Sequence, residues 1–172
     1  LPDHADDVTD LMARADIAMY TAKAAGLGLT TFSGTAQQHG EATNRLMLLG
    51  DLRRALERRE LILHYPPKVR LPPGEIVGFE ALMRWEHPER GLLAPAEFIP
   101  VAEHTALIGP LTLYAIDTAL AECADAGAQG LTVAVNTSAR NLMDAYFPGA
   151  VGGILARRGT PPGLLELEIT ET

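Results

Sequence analysis

The chain has 172 residues, 47% apolar and 21% charged, which is enough for a globular domain and too apolar for a disordered chain. Its net charge of −8 disfavours nonspecific binding to nucleic-acid polymers and to anionic membrane surfaces. Because Cys123 is the one cysteine, no disulfide can form within the chain, which suits a reducing compartment. No apolar run approaches the roughly 20 residues that span a bilayer, so we expect no direct membrane contact from this segment.

The first quarter of the chain predicts helices joined by a polar stretch. Residues 7–25 carry apolar side chains at helical spacing and are followed by two glycines, Gly26 and Gly28. Residues 34–45 are mostly small and polar, and they read as a linker or as the start of a helix. Residues 45–60 form a stronger helix, with leucines on one face and arginines on the other. The arginines could bind phosphate, but a solvated face is the simpler interpretation.

The middle of the chain predicts a hairpin with prolines on one arm. The composition of residues 61–65 is that of a strand, which Pro66 and Pro67 interrupt and which resumes at residues 68–71. Residues 72–74 form a turn, and residues 75–82 return from it. Prolines within one arm indicate a position at the edge of a sheet.

Helices and strands alternate over the remaining residues. We expect one helix to begin at Pro95, a second over residues 110–126, and a third over residues 139–158 with a break near Pro148. We expect strands over residues 131–135 and 164–171. This order predicts an α/β fold whose parallel sheet is wound by right-handed crossovers. A TIM-like (β/α)8 barrel needs about 250 residues, so the chain would hold the first half of one. An open doubly wound sheet is the alternative, although no glycine-rich loop follows any strand.

Three oxygen-bearing side chains recur at or near the carboxyl ends of predicted strands: Glu80, Asn136 and Glu168. In a barrel these residues would face the same mouth. Two carboxylates and a carboxamide are hard ligands that suit Mg²⁺ or Mn²⁺. Arg84 could bind a phosphate oxygen. Glu80 alone would equally suit a structural ion pair with Arg84, because a buried carboxylate needs a partner of some kind.

The segment Glu80-Ala81-Leu82, followed by Arg84-Trp85 and His87-Pro88, resembles the signature of the EAL family of cyclic di-GMP phosphodiesterases. A second block, Phe98-Ile99-Pro100, supports the resemblance. It implies hydrolysis of cyclic di-GMP to linear pGpG by metal-activated water in a cytoplasmic protein. It also implies that Glu80, Asn136 and Glu168 are metal ligands, and that Glu171 supports a neighbouring loop.

Two features qualify this resemblance. Where the family carries Tyr-Gln-Pro, this chain has Tyr65-Pro66-Pro67, and proline offers no side-chain hydrogen bond to a nucleotide. A degenerate domain that serves as a cyclic di-GMP receptor or signalling scaffold is therefore the alternative function. Residues 15–26 are similar to the C-terminal end of GGDEF domains, in which the lysine matching Lys23 contacts phosphate, and residues 29–32 would be that domain's last strand.

The resemblance implies a tandem arrangement: residues 1–33 as a GGDEF remnant, 34–45 as a linker and 46–172 as the N-terminal half of an EAL domain. We expect a fragment of a longer protein with no complete catalytic set in this chain, inactive alone. The family's later Asp-Asp pair, lysine, glutamate and glutamine would follow beyond Thr172. A homodimer of the longer protein, an anchor upstream, and a truncated gene without a role of its own stay open.

Overall fold

The computed structural model describes Met19, residues 36–128 and residues 130–170. Apart from Met19, which is helical, the predicted helix at residues 7–25 lies outside the described residues, as do the strand at 29–32 and Glu171. The chain divides into two compact units between Asp51 and Leu52. The sheet and its helices belong to the second unit.

The helix α1 spans Ala36–Arg58, so it begins well before the expected start at Arg45. Residues interpreted as a linker or a helix start are therefore helical from Ala36 onward. Leu52 and Ala55 are fully buried. The arginines of the opposite face are exposed, which agrees with a solvated face. After the helix ends, Arg59 takes a left-handed conformation with φ of 58° and turns the chain into the first strand.

Six strands form one sheet: β1 Leu61–His64, β2 Pro67–Arg70, β3 Glu75–His87, β4 Gly91–Leu93, β5 Thr132–Ser138 and β6 Leu165–Thr170. The long strand β3 is antiparallel to β1, β2 and β4 and parallel to β5. β6 pairs in parallel with β5 and lies at the far end of the sheet order. The three parallel strands are β3, β5 and β6, as expected for an α/β fold.

The prolines interrupt a strand without ending its pairing. Leu61 pairs with Trp85 in β1, and Pro67 pairs with Phe79 in β2, so both strands follow the same line along β3. Between them, the carbonyl of Pro66 accepts a hydrogen bond from the Glu80 N–H at 3.0 Å. The predicted hairpin with a proline-bearing arm is confirmed.

Helices connect the parallel strands. They are α2 Pro95–Glu103 and α3 Ile108–Asp125 before β5, and α4 Ala139–Leu142 and α5 Phe147–Arg158 before β6, with a 3₁₀ turn at Pro162–Leu164. Pro95 is the first residue of α2, as expected. The break in the third helical region falls at residues 143–146 rather than at Pro148, which lies in the first turn of α5.

The strands present two chemically different faces. In β1, in β5 and from Ala81 onward in β3, the odd-numbered residues are buried: Leu61, Leu63, Ala81, Met83, Trp85, His87, Val133, Val135 and Thr137. In β6, by contrast, the odd-numbered Leu167 and Ile169 are exposed. Phe98 of α2 packs edge-on against Trp85, with ring centroids 5.7 Å apart. The hydroxyl of Tyr114 on α3 donates to the Leu61 carbonyl at 2.8 Å. The helices thus cover the odd face, and the even face carries the candidate site.

Candidate functional site

Glu80 and Asn136 meet on the even face of two neighbouring strands. Glu80 of β3 lies opposite Ala134 of β5, so Asn136 is two residues further along on the same face. The Asn136 amide donates from Nδ2 to Oε1 of Glu80 at 2.8 Å. Both residues are partly buried. This hydrogen bond gives one oxygen of the Glu80 carboxylate a partner, and that partner is Asn136 and not Arg84.

Glu168 joins this pair from the next strand. In the parallel ladder between β5 and β6, Asn136 lies directly opposite Glu168. Strand pairing therefore brings the three sequence-predicted residues together on one face, across three adjacent strands. Asn136 belongs to β5 itself and not to a loop after it, because its ladder with β6 continues to Ser138.

A lysine that sequence reasoning missed completes the cluster. The Lys68 ammonium on β2 lies 2.5 Å from Oε2 of Glu166 and 3.1 Å from Oε1 of Glu168. Hydrogen bonds to Glu166 and Glu168 raise the pKa of Lys68. Hydrogen bonds from Lys68 and then Thr132 lower the pKa of the Glu166 carboxyl. The sequence alone places Glu166 and Glu168 on one face of a strand, because they are two residues apart. The face of Lys68 depends on the pairing of β2 with β3, which the sequence does not specify.

The donor chemistry of this face fits a hard divalent cation. Within residues 36–128 and 130–170, no group of three or more His, Cys, Asp and Glu side chains forms a metal site by itself. Glu80 and Glu168 supply carboxylates, and Asn136 supplies a carboxamide. All three side chains offer the oxygen ligands that Mg²⁺ and Mn²⁺ prefer. Glu168 already contacts one cation, the Lys68 ammonium.

Arg84 lies further along β3 on the same face as Glu80. One of its terminal nitrogens donates to the Met83 carbonyl at 2.8 Å. A guanidinium carries five N–H donors, so this contact leaves capacity for an anion. Glu171, the remaining predicted residue, is outside the described part of the chain.

The search for membrane spans gives a negative result within the described residues. None of their helices combines the length and the apolar character that crossing a bilayer requires.

The fold and the polar face together define the class of protein. The second unit is a partial TIM-like barrel of the α/β class, consistent with the first half of a barrel. The EAL domain family model matches residues 49–172. The chain therefore belongs to the EAL domain family.

Its relatives are longer proteins. The chain is 42% identical to the bifunctional diguanylate cyclase/cyclic di-GMP phosphodiesterase MucR of Pseudomonas aeruginosa, over 95% of this chain and 24% of the relative. It is 38% identical to the cyclic di-GMP phosphodiesterase PdeR of Escherichia coli, over 99% of this chain and 26% of the relative. The chain thus spans about a quarter of the length of these curated relatives.

Solved structures agree with the family. The PaMucR phosphodiesterase in complex with c-di-GMP superposes with a TM-score of 0.68 at 44% identity, covering 73% of this chain and 52% of that chain. The EAL enzyme Bd1971, bound to cAMP and cyclic di-GMP, has a TM-score of 0.68 at 24% identity, covering 97% of this chain and 44% of that chain. The second likeness concerns the fold alone.

Proposed function

We propose that the protein carrying this chain hydrolyses cyclic di-GMP to linear pGpG, with Mg²⁺ or Mn²⁺ held by Glu80, Asn136 and Glu168. The main support for this proposal is that the three residues lie on one face of the sheet. Asn136 is hydrogen-bonded to Glu80 at 2.8 Å and pairs with Glu168 in the ladder between β5 and β6. Membership of the EAL family and the printed activities of MucR and PdeR support the choice of substrate.

Each residue has a defined part in this proposal. When bound, the cation polarises a phosphoryl oxygen and lowers the pKa of a bound water. Arg84 binds a phosphate oxygen of the substrate and orients it. Glu171 supports a neighbouring loop. In the net reaction one phosphodiester P–O bond breaks, and water supplies a hydroxyl group to phosphorus and a proton to the leaving oxygen.

The domain organisation is part of the same proposal. Residues 1–33 are the end of a GGDEF domain, residues 34–45 lead into the EAL domain, and residues 46–172 are its N-terminal half. The protein works in the cytoplasm on a soluble nucleotide. We expect hydrolysis to require the longer protein, because the chain spans about a quarter of the length of these relatives.

One observation favours a receptor as the second candidate. Pro66 stands where the family carries glutamine, and its carbonyl is already hydrogen-bonded to the Glu80 N–H. The proline side chain has no donor or acceptor with which to read a nucleotide edge, whereas a glutamine side chain has both. A receptor would bind cyclic di-GMP through the same face and release it unchanged.

The test measures pGpG formation by the protein carrying this chain, with Mg²⁺ or Mn²⁺, together with cyclic di-GMP affinity. Glu80→Gln should lower hydrolysis at least about 10-fold, because the loss of a ligand should cost no less than the loss of an outer partner of that ligand. Glu75→Gln is the matched control: Glu75 lies on the same strand, and its exposed carboxylate pairs with Arg70 at 3.0 Å. Unchanged hydrolysis in Glu80→Gln would contradict the proposed site. Nucleotide binding without product would establish the receptor instead.

A further inference from the structure

Lys68 reaches carboxylates that lie three strands away. The sheet order places β3 and β5 between β2 and β6. Neighbouring strands are about 4.8 Å apart, so a flat sheet would separate β2 from β6 by about 14 Å. The Lys68 ammonium nevertheless lies 2.5 Å from Glu166 and 3.1 Å from Glu168. The even face must therefore be concave, with the lysine side chain crossing it.

The residue beside Lys68 on β3 leaves that path open. Lys68 pairs with Gly78, which has no side chain to stand between the lysine and the centre of the face. On β5, Thr132 pairs with Gly78, and the small Ala134 lies directly opposite Glu166. A side chain at residue 78 would stand beside the lysine on β3. The sequence thus provides a low surface over which the ammonium reaches β6.

The position of the ammonium matters for the proposed cation site. Glu168 is opposite Asn136, and Asn136 is hydrogen-bonded to Glu80. A divalent ion at these three residues would share the Glu168 carboxylate with the Lys68 ammonium. Two cations at one carboxylate repel each other, and the repulsion is reduced if the lysine moves toward another anion. Glu166, the nearer of the two partners, is such an anion.

We propose that Lys68 is an internal competitor of the divalent ion: it holds Glu168 while no ion is bound and shifts fully onto Glu166 when an ion binds. This inference rests on the proposed metal site. Lys68 sets the affinity for the ion without being a ligand, and Glu166 acts on the ion through Lys68. Neither residue is needed for the metal ligands to converge.

The experiment measures Mn²⁺ binding by calorimetry and by the electron paramagnetic resonance signal of free Mn²⁺, at fixed pH and ionic strength. Lys68→Met keeps an unbranched side chain that is one atom shorter and removes its charge. It should tighten binding about fivefold, the size expected of a partly exposed charge contact. Arg70→Met is the matched control, because it removes one positive charge from the same strand at a residue paired with Glu75. Its affinity should stay within about twofold of wild type.

Glu166→Gln provides the opposite perturbation. With Glu166 neutral, Lys68 keeps only Glu168, so Mn²⁺ affinity should fall about fivefold. A simple loss of nearby negative charge predicts the same fall, and the double variant separates the two explanations. If Glu166 acts through Lys68, Glu166→Gln should change affinity less than about twofold in the Lys68→Met background.

The outcomes distinguish the inference from the proposed function. Tighter binding by Lys68→Met, with the Glu166→Gln effect abolished in the double variant, supports the competitor. Wild-type binding that Lys68→Met leaves unchanged or weakens overturns the competitor and leaves the metal site standing. Absence of Mn²⁺ binding in wild type and both single variants overturns both. Circular dichroism and urea unfolding verify that each variant is folded.

Discussion

A single methyl group at Gly78 should disturb the pairing of the two strands that carry Glu80 and Asn136. A Cβ built at this glycine would lie 2.3 Å from Oγ1 and 2.5 Å from the carbonyl oxygen of Thr132 on β5. Real Cβ atoms essentially never come this close to other heavy atoms, so the strands must move apart or shift. Overpacking of a tight site costs about 1–3 kcal/mol, and we expect Gly78→Ala to destabilise the chain by that amount.

Urea unfolding followed by circular dichroism would measure this cost. In thermal unfolding, a loss of about 1–3 kcal/mol in a chain of 172 residues corresponds to a fall in Tm of about 2–12 °C. Gly152→Ala is the matched control, because this glycine lies within helix α5 and a Cβ there meets nothing within 4 Å. Alanine in a helix interior should stabilise by about 0.5–1 kcal/mol.

A double variant tests the stated mechanism. Thr132→Ala removes the hydroxyl but leaves the carbonyl at 2.5 Å, so it should recover only part of the loss caused by Gly78→Ala. Full recovery would show that the side chain alone causes the clash. Stability of Gly78→Ala within about 0.5 kcal/mol of wild type would refute the reasoning, because that is the range of neutral surface changes.

Two further predictions concern pairs outside the site. Arg158 and then Arg157 hold the pKa of Asp117 below its ordinary value of 3.8. A carboxyl group whose pKa is lowered by folding stabilises the folded state at pH values above its ordinary pKa. This contribution is lost as the pH falls through the pKa of the folded state, so Asp117→Asn should lower the urea midpoint at pH 7. The gap should close below pH 3.8, and a gap unaffected by acid would contradict this account. In the core, Thr112 accepts from the Asn141 amide at 2.7 Å, and both residues are buried. Thr112→Val leaves that amide unpaired and should lower the free energy of unfolding, measured in urea, by about 1–3 kcal/mol. Thr112→Ser keeps the acceptor and should cost less. A valine variant as stable as wild type would contradict this prediction.

Much of the fold follows from rules that act locally along the chain. Strand alternation identifies the buried side of β3, and β-branched residues identify β5. The proline-bearing arm, the helix beginning at Pro95 and the parallel order of the later strands are all visible in the sequence and confirmed by the structure. The convergence of Glu80, Asn136 and Glu168 follows from the same rules, because carboxyl ends of parallel strands meet at one edge.

Other features depend on register and curvature, which no local pattern specifies. Lys68 contacts Glu166 and Glu168 only because the sheet bends over two intervening strands. Asn136 looks like a loop residue, but its place in the β5–β6 ladder depends on a partner about thirty residues away. The short strand β4 spans three residues, too few to show alternation. The early start of α1 at Ala36 was not predicted, although Thr35, directly before it in the sequence, is a residue type that favours helix N-caps.

The separation of odd and even strand positions has a practical consequence for protein engineering. A library that randomises even positions of β1, β3 and β5, with Gly78 and the buried Ala134 held constant, would vary the ligand-facing chemistry while conserving the buried odd residues of these strands. A library at the buried odd positions of β1, β3 and β5 would instead sample stability. Selection for new nucleotide specificities and selection for robust expression can therefore be run on the same scaffold as nearly independent campaigns.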